Sequence, residues 1–167
     1  TGAITRAITV TYSSSSSIAA VFNLAAGSYF IRIENNDGGA VRSTNADLTA
    51  STSPTWTTSA GSIGTFAAGS TISGLNVQAS SDSNVTITET TSVLTSNSNT
   101  PATTMNLNLA GTPASSATYT ISGTAPSPTS DQTYNFTLRA TDAEGQTADR
   151  AFSITITVGA NNSGQFN

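Results

Sequence analysis

The residues with most scope for chemistry in this 167-residue sequence are acids set in Gly-, Ser- and Thr-rich turns. Asp142 and Glu144 stand two positions apart in Thr141-Asp142-Ala143-Glu144-Gly145, and Asp82 ends the run Ala79-Ser80-Ser81-Asp82. Carboxylates so placed suit two kinds of work. They can supply part of the about six to eight oxygens that a calcium ion takes, or as a pair they can exchange protons with a substrate. They also suit a plainer job, because an Asp side chain readily hydrogen-bonds the backbone of its own turn. Nine acids spread over the whole chain leave little density for a full calcium cage, and two carboxylates on one turn are expected to be solvated. The expectation is therefore turn-capping acids, with Asp82, Asp142 and Glu144 as candidate calcium ligands and with no catalytic group.

Composition removes most other chemistry. There is no Cys and no His, so no disulfide, Cys/His zinc site, haem or iron–sulfur ligation can form, and a Ser-His-Asp or Cys-His machine lacks its base. The five basic residues are all Arg against nine acids, a net charge of −4. An acidic chain without Lys is a poor binder of phosphate backbones, so nucleic acid is not an expected partner. No apolar run approaches the about 20 residues of a membrane-spanning helix, and no secretion leader is visible, so Thr1 reads as a processed or truncated start. Ser and Thr together number 57 and supply the polar surface that charge does not.

The elements that would position those turns are read from alternation with period two. Ile8/Val10/Tyr12, Ile18/Ala20/Phe22/Leu24 and Tyr29/Ile31/Ile33 each form an apolar face in the first third. Val85/Ile87, Met105/Leu107/Leu109, Tyr119/Ile121, Tyr134/Phe136/Leu138/Ala140 and Phe152/Ile154/Ile156/Val158 follow. Each run is expected to be a strand with one dry and one wet face, as in antiparallel sheets. Asn35-Asn36-Asp37-Gly38-Gly39 and Asp142-Ala143-Glu144-Gly145 are hairpin turn signals. No stretch shows a capped helical period. About ten short strands with frequent turns predict an all-β chain of stacked antiparallel sheets.

A boundary is expected near Thr52-Ser53-Pro54. Residues 1–52 carry about four strand signals, residues 53–158 about eight, close to one sandwich of ~100 residues, and residues 159–167 form a Gly/Asn-rich tail. Trp56 is expected to plug the core, its large ring being worth more buried than free for stacking on carbohydrate. Arg139 and Arg150 flank the Asp142–Gly145 turn and are expected to face each other or Asp149. Glycan-acceptor triplets occur at Asn84-Val85-Thr86, Asn135-Phe136-Thr137 and Asn161-Asn162-Ser163, as chance provides in so hydroxyl-rich a chain.

Two stretches are similar to known families. Gly27-Ser28-Tyr29, Asn35-Asn36-Asp37-Gly38 and Ala46 to Thr49 resemble the second half of an IPT/TIG domain, an immunoglobulin-like module. Pro54-Thr55-Trp56, Ile121 to Pro126, Tyr134 to Asp142 and Asp149 to Ile156 resemble the immunoglobulin/cadherin-like repeats of phage virion and bacterial surface proteins. The resemblances imply immunoglobulin-like antiparallel β-sandwiches, one complete (53–158) and one partial (1–52). The cadherin likeness implies acids at Thr-Asp-x-(Asp/Glu)-Gly turns, where Asp142 and Glu144 stand, although the multi-acid linker of true cadherins is missing. The function implied is non-enzymatic: a structural or adhesive component of a tailed-phage virion, such as a capsid decoration, fibre or appendage. The alternatives are a bacterial cell-surface adhesin fragment, with a cell-surface glycan as its partner, or a strand-exchanging surface filament subunit. Expected partners are other virion or surface structural proteins and further copies of the chain, in multivalent docking. The segment Thr1 to Tyr12 is the expected strand to be exchanged, with ordinary pairing inside its own chain as the plainer alternative.

Overall fold

The computed structural model describes residues 4–97 and 100–159, and every described element is a strand. No described helix is long and apolar enough to cross a membrane. The 159–167 tail, apart from Gly159, and the Asn161-Asn162-Ser163 triplet lie outside the described residues, as do positions 1–3 of the expected exchange strand. The chain divides into two compact units, Thr1–Thr52 and Ser53–Asn167, and each is described by itself.

Among the described residues, unit 1 holds six short strands in three two-stranded antiparallel pairs. β1 (Thr9–Ser14) pairs with β2 (Ser17–Val21) across a serine turn, setting Val10 opposite Ala20 and Tyr12 opposite Ile18. β3 (Gly27–Tyr29) pairs with the later β6 (Leu48–Ala50), and between them β4 (Arg32–Glu34) pairs with β5 (Ala40–Arg42). The β4–β5 hairpin closes at Asn35–Gly39, where the Asn35 N–H donates to the Gly39 carbonyl at 2.8 Å and Gly38 takes φ +88°, a value costly for a residue with a Cβ. The alternating faces expected to be dry are not. Ile8, Val10, Tyr12, Ile18, Ile31 and Ile33 are all exposed. The physical reason is that strands of three to six residues in separate pairs give their apolar faces no second layer to pack on.

Unit 2 is an immunoglobulin-like β-sandwich. Its strands are β7 (Thr55–Trp56), β8 (Gly61–Ala67), β9 (Thr71–Glu89), β10 (Asn108–Gly111), β11 (Ala114–Thr124), β12 (Gln132–Thr141) and β13 (Thr147–Thr157). One layer runs β10-β11-β9-β7 and the other β9-β12-β13-β8, so the long β9 serves both. It changes layer at a large bulge: Ser116 of β11 faces Ser80, while Ala114 faces Val85, and residues 81–84 swing out between them. β8 adds to β13 in parallel, closing the second layer with the strand that follows β7 in the first.

The expected period-two runs of β12 and β13 do bury one face. Tyr134, Phe136, Leu138 and Ala140 meet Phe152, Ile154 and Ile156 in one core with Ile72, Val77, Val85 and Ile121. Trp56, from the first layer, touches Phe152 of the second edge-on at 5.4 Å between ring centres, and its indole N–H donates to the Ala148 carbonyl at 3.0 Å. It is a core residue, and its buried polar atom is satisfied. Outward-facing hydroxyls and amides pair across strands, as in Thr133–Thr155 (3.0 Å), Gln78–Thr118 (2.9 Å) and Thr120–Asn76 (2.8 Å).

The Met105/Leu107/Leu109 run departs from expectation. Only Leu109 lies in a strand, β10, while Met105 and Leu107 are buried in irregular chain that closes one end of the core. Their N–H groups donate to the Val93 and Leu94 carbonyls at 2.8 Å each, which satisfies the backbone without a sheet.

Candidate functional site

The sandwich brings Asp82, Asp142 and Glu144 together. Asp82 sits in the bulge of β9, and Asp142 and Glu144 sit in the β12–β13 turn about 60 residues later, so the meeting depends on these two loops occupying one end of the sandwich. One carboxylate oxygen from each lies within 4.8 Å of the others. Serine hydroxyls wire the group. Ser81 Oγ donates to Asp82 Oδ1 at 3.1 Å and lies 3.4 Å from Asp142 Oδ2, and Ser83 Oγ donates to Glu144 while accepting from the Ala143 N–H at 3.2 Å.

Asp142 is the buried member. Its Oδ1 accepts the Gln146 N–H at 2.7 Å, its own N–H donates to the Gln146 carbonyl at 3.0 Å, and its carbonyl accepts from Gly145 at 3.1 Å. Gly145, at φ +84°, lets the chain reverse this tightly. Asp142 thus caps its own turn. Chemically, the three carboxylates could each give a cation one or two of the about six to eight oxygens that calcium takes, and in the arrangement seen both Asp142 oxygens accept hydrogen bonds. What the arrangement does with the groups present is clamp the β9 bulge to the β12–β13 turn.

The two arginines near this turn separate. Arg139 lies directly across from Asp149 and binds it with two parallel hydrogen bonds, Nε to Oδ1 at 2.7 Å and Nη2 to Oδ2 at 2.8 Å. The hydrogen bond from Arg139 holds the Asp149 carboxyl below its ordinary pKa, against a small opposing effect of desolvation. Arg150 instead donates to the Thr58 carbonyl at 2.7 Å and fastens the segment between β7 and β8. Of the described glycan-acceptor asparagines, Asn135 lies inside β12 opposite Ser153, and Asn84 lies in the β9 bulge.

One important carboxylate escaped the sequence reading. Glu89, at the end of β9, accepts the N–H groups of Val93 (2.6 Å), Leu94 (2.8 Å) and Thr95 (2.9 Å), and the hydroxyls of Thr91 (2.9 Å) and Thr95 (2.8 Å). Partial burial raises its pKa, but the hydrogen bonds from Leu94, Thr95 and Val93 outweigh that and leave it lowered. The one signal available was isolation: between Asp82 and Asp131, Glu89 is the only charged residue.

Unit 1 offers a different kind of surface. Every large hydrophobic side chain that the described chain exposes to solvent lies between Ile4 and Val41, and all of the buried hydrophobic core lies from Trp56 onward. A groove of about 740 Å³ opens within unit 1, walled by Phe22, Leu24, Tyr29, Phe30, Ile31 and Leu48. Arg42 stacks on Phe30, 4.3 Å from the ring centre, and Arg32 pairs with Glu34 at 2.6 Å. Apolar surface on this scale, open on unit 1 and not found among the described residues of unit 2, makes this face a candidate contact surface.

No protein-family model matches this chain, and no curated protein matches it. Among solved structures, one similar chain is the BIgI domain of the beta protein from S. agalactiae, determined bound to CEACAM1. It is 22% identical, with a TM-score of 0.41, over 63% of this chain and 97% of that one. A likeness of that size carries no inference about what this chain binds.

Proposed function

We propose that this chain is a non-enzymatic structural and adhesive component of a tailed-phage virion, a part of a capsid decoration, fibre or appendage on the particle surface. Unit 2 is the rigid spacer and unit 1 the docking part. The observation that carries this reading is the segregation of apolar side chains, with a closed core in unit 2 and ten large exposed hydrophobics in unit 1. A soluble unit gains nothing from exposing so much apolar surface unless something covers it. The resemblances to a half IPT/TIG module and to phage and bacterial-surface immunoglobulin-like repeats support the setting. The partners in this reading are neighbouring structural proteins, and many weak contacts on one particle sum through multivalency.

Immunoelectron microscopy of particles and host envelopes, with antibody raised against unit 2, tests the proposal. Repeated label on virions is the expected result, lost when Ile33→Glu and Val41→Glu are introduced together into the β4–β5 hairpin. Label confined to the cell envelope would select the bacterial adhesin instead, and turnover of a compound by the pure chain would overturn both.

A further inference from the structure

We propose that the groove of unit 1 binds an extended, apolar peptide segment of a neighbouring protein that carries one carboxylate, and that Arg42 receives that carboxylate. The inference rests on the reading of unit 1 as the docking part and names the chemistry of what enters it. Phe22, Leu24, Tyr29 and Leu48 give the groove an apolar wall, and Arg32 and Arg42 give it a cationic one. None of the described residues that line it is acidic. A concave, mostly apolar site with a few convergent polar groups is the ordinary form of a ligand site.

Register sets the two arginines there. Arg32 of β4 lies directly across from Arg42 of β5, and Glu34 faces Ala40, so these four share one side of the hairpin. Ile33 and Val41 take the other side and are exposed. Antiparallel strands with one solvated face ordinarily turn the charged side to water, whereas here the two arginines line the groove. Like charges directly opposite each other on paired strands repel. Glu34 compensates Arg32 at 2.6 Å, while Arg42 forms no ion pair among the described residues. Its guanidinium sits over the Phe30 ring, 4.3 Å from the centre. That contact holds the planar fork in place without using its N–H donors.

The balance of charge decides what enters. Two guanidiniums and one carboxylate leave the site one positive charge. One further carboxylate neutralises it and matches the Arg fork in geometry, whereas a phosphate dianion exceeds it. An anionic membrane surface is drawn to clusters of about four to eight basic residues. Unit 1 is neutral instead, with Arg6, Arg32 and Arg42 against Glu34, Asp37 and Asp47. Among the described residues β4 and β5 pair only with each other, so each keeps an edge at which an extended segment gains main-chain hydrogen bonds. A small free carboxylate would gain nothing from those edges.

Two capped peptides test this on the isotope-labelled full chain by nuclear magnetic resonance: acetyl-Leu-Phe-Val-Glu-Leu-amide, with one carboxylate, and its Gln counterpart, with none. The Glu peptide is expected to bind with a Kd on the order of 100 μM and to shift amides around Phe30 and Arg42. The Gln peptide is expected to bind about tenfold more weakly, the worth of a hydrogen-bonded charge at an open site. Arg42→Gln should remove that preference, so that both peptides bind alike. Arg139→Gln makes the same change of charge in unit 2 and should keep it. The comparison of peptides on the wild-type chain holds even if Arg42→Gln misfolds. Equal binding of both peptides by the wild-type chain, no binding at about 5 mM, a preference that survives in a folded Arg42→Gln, or one lost in Arg139→Gln would each overturn the assignment. Retention of the chain on phosphatidylserine vesicles with neither peptide bound would overturn it in favour of a membrane surface. The outcome is separable from the wider reading. A chain that labels virions but takes neither peptide leaves unit 1 as a docking part and removes the carboxylate, and one that prefers the Glu peptide but never labels virions keeps the site and removes the setting.

Discussion

Units 1 and 2 are written in the same alphabet of alternating apolar and hydroxyl residues, yet they end in opposite states. In unit 2, strands of up to 19 residues stack in two layers and Phe152 is enclosed between Trp56 and Phe136. In unit 1, strands of at most six residues pair two by two, and Val10, Tyr12 and Val41 face solvent. Alternation makes a face. Only a second layer makes a core, and the described strands of unit 1 pair without one.

The sharpest way to break this contrast is truncation inside each unit. Phe152→Ala should lower unit 2 stability by about 3–5 kcal/mol in denaturant unfolding, whereas Val41→Ala should stay within about 0.5 kcal/mol. Similar losses in both would show that unit 1 has a hidden core. A smaller effect is expected at the clamp between the loops. Asp142→Ala leaves the half-buried Gln146 N–H without its carboxylate acceptor and should cost about 1–3 kcal/mol.

Glu89→Gln should cost about 1 kcal/mol, the worth of a terminal cap, because a neutral amide accepts more weakly from three N–H groups. Its pH signature has a definite sign. The folded pKa of Glu89 lies below the unfolded one, so its stabilisation is complete above the unfolded value of 4.5 and disappears as pH falls through the folded value. Acid titration of unit 2 stability should therefore be shallower in Glu89→Gln below about pH 4.5. The smallest expected effect is that of calcium. A clamp made of hydrogen bonds predicts melting temperatures in calcium and in chelator that agree within about 1 °C. A rise of about 10 °C in saturating calcium would make Asp82, Asp142 and Glu144 a cation site.

The sandwich strands β12 and β13 were legible because four and three successive apolar positions alternate cleanly between turn residues, with enough length to support a second layer. The same pattern misled at Ile8, Val10 and Tyr12, since alternation carries no information on whether anything will cover the face. Met105 and Leu107 read as a strand because burial alone was visible, and their backbone partners are carbonyls of a distant irregular segment. Asp82, Asp142 and Glu144 were legible as candidates from turn chemistry, but their meeting depends on a bulge in β9 that no local signal marks. Glu89 stayed hidden because most of its partners are main-chain N–H groups, which side-chain identity does not reveal.

Hydrogen–deuterium exchange on the dilute full chain tests the division of labour most directly. Amides of β12 and β13 should exchange only with global unfolding of unit 2, while those of β1 and β2 exchange orders of magnitude faster and become protected when a particle surface covers them. Slow exchange of β1 and β2 in the dilute chain, or new protection confined to unit 2 on assembly, would contradict the account.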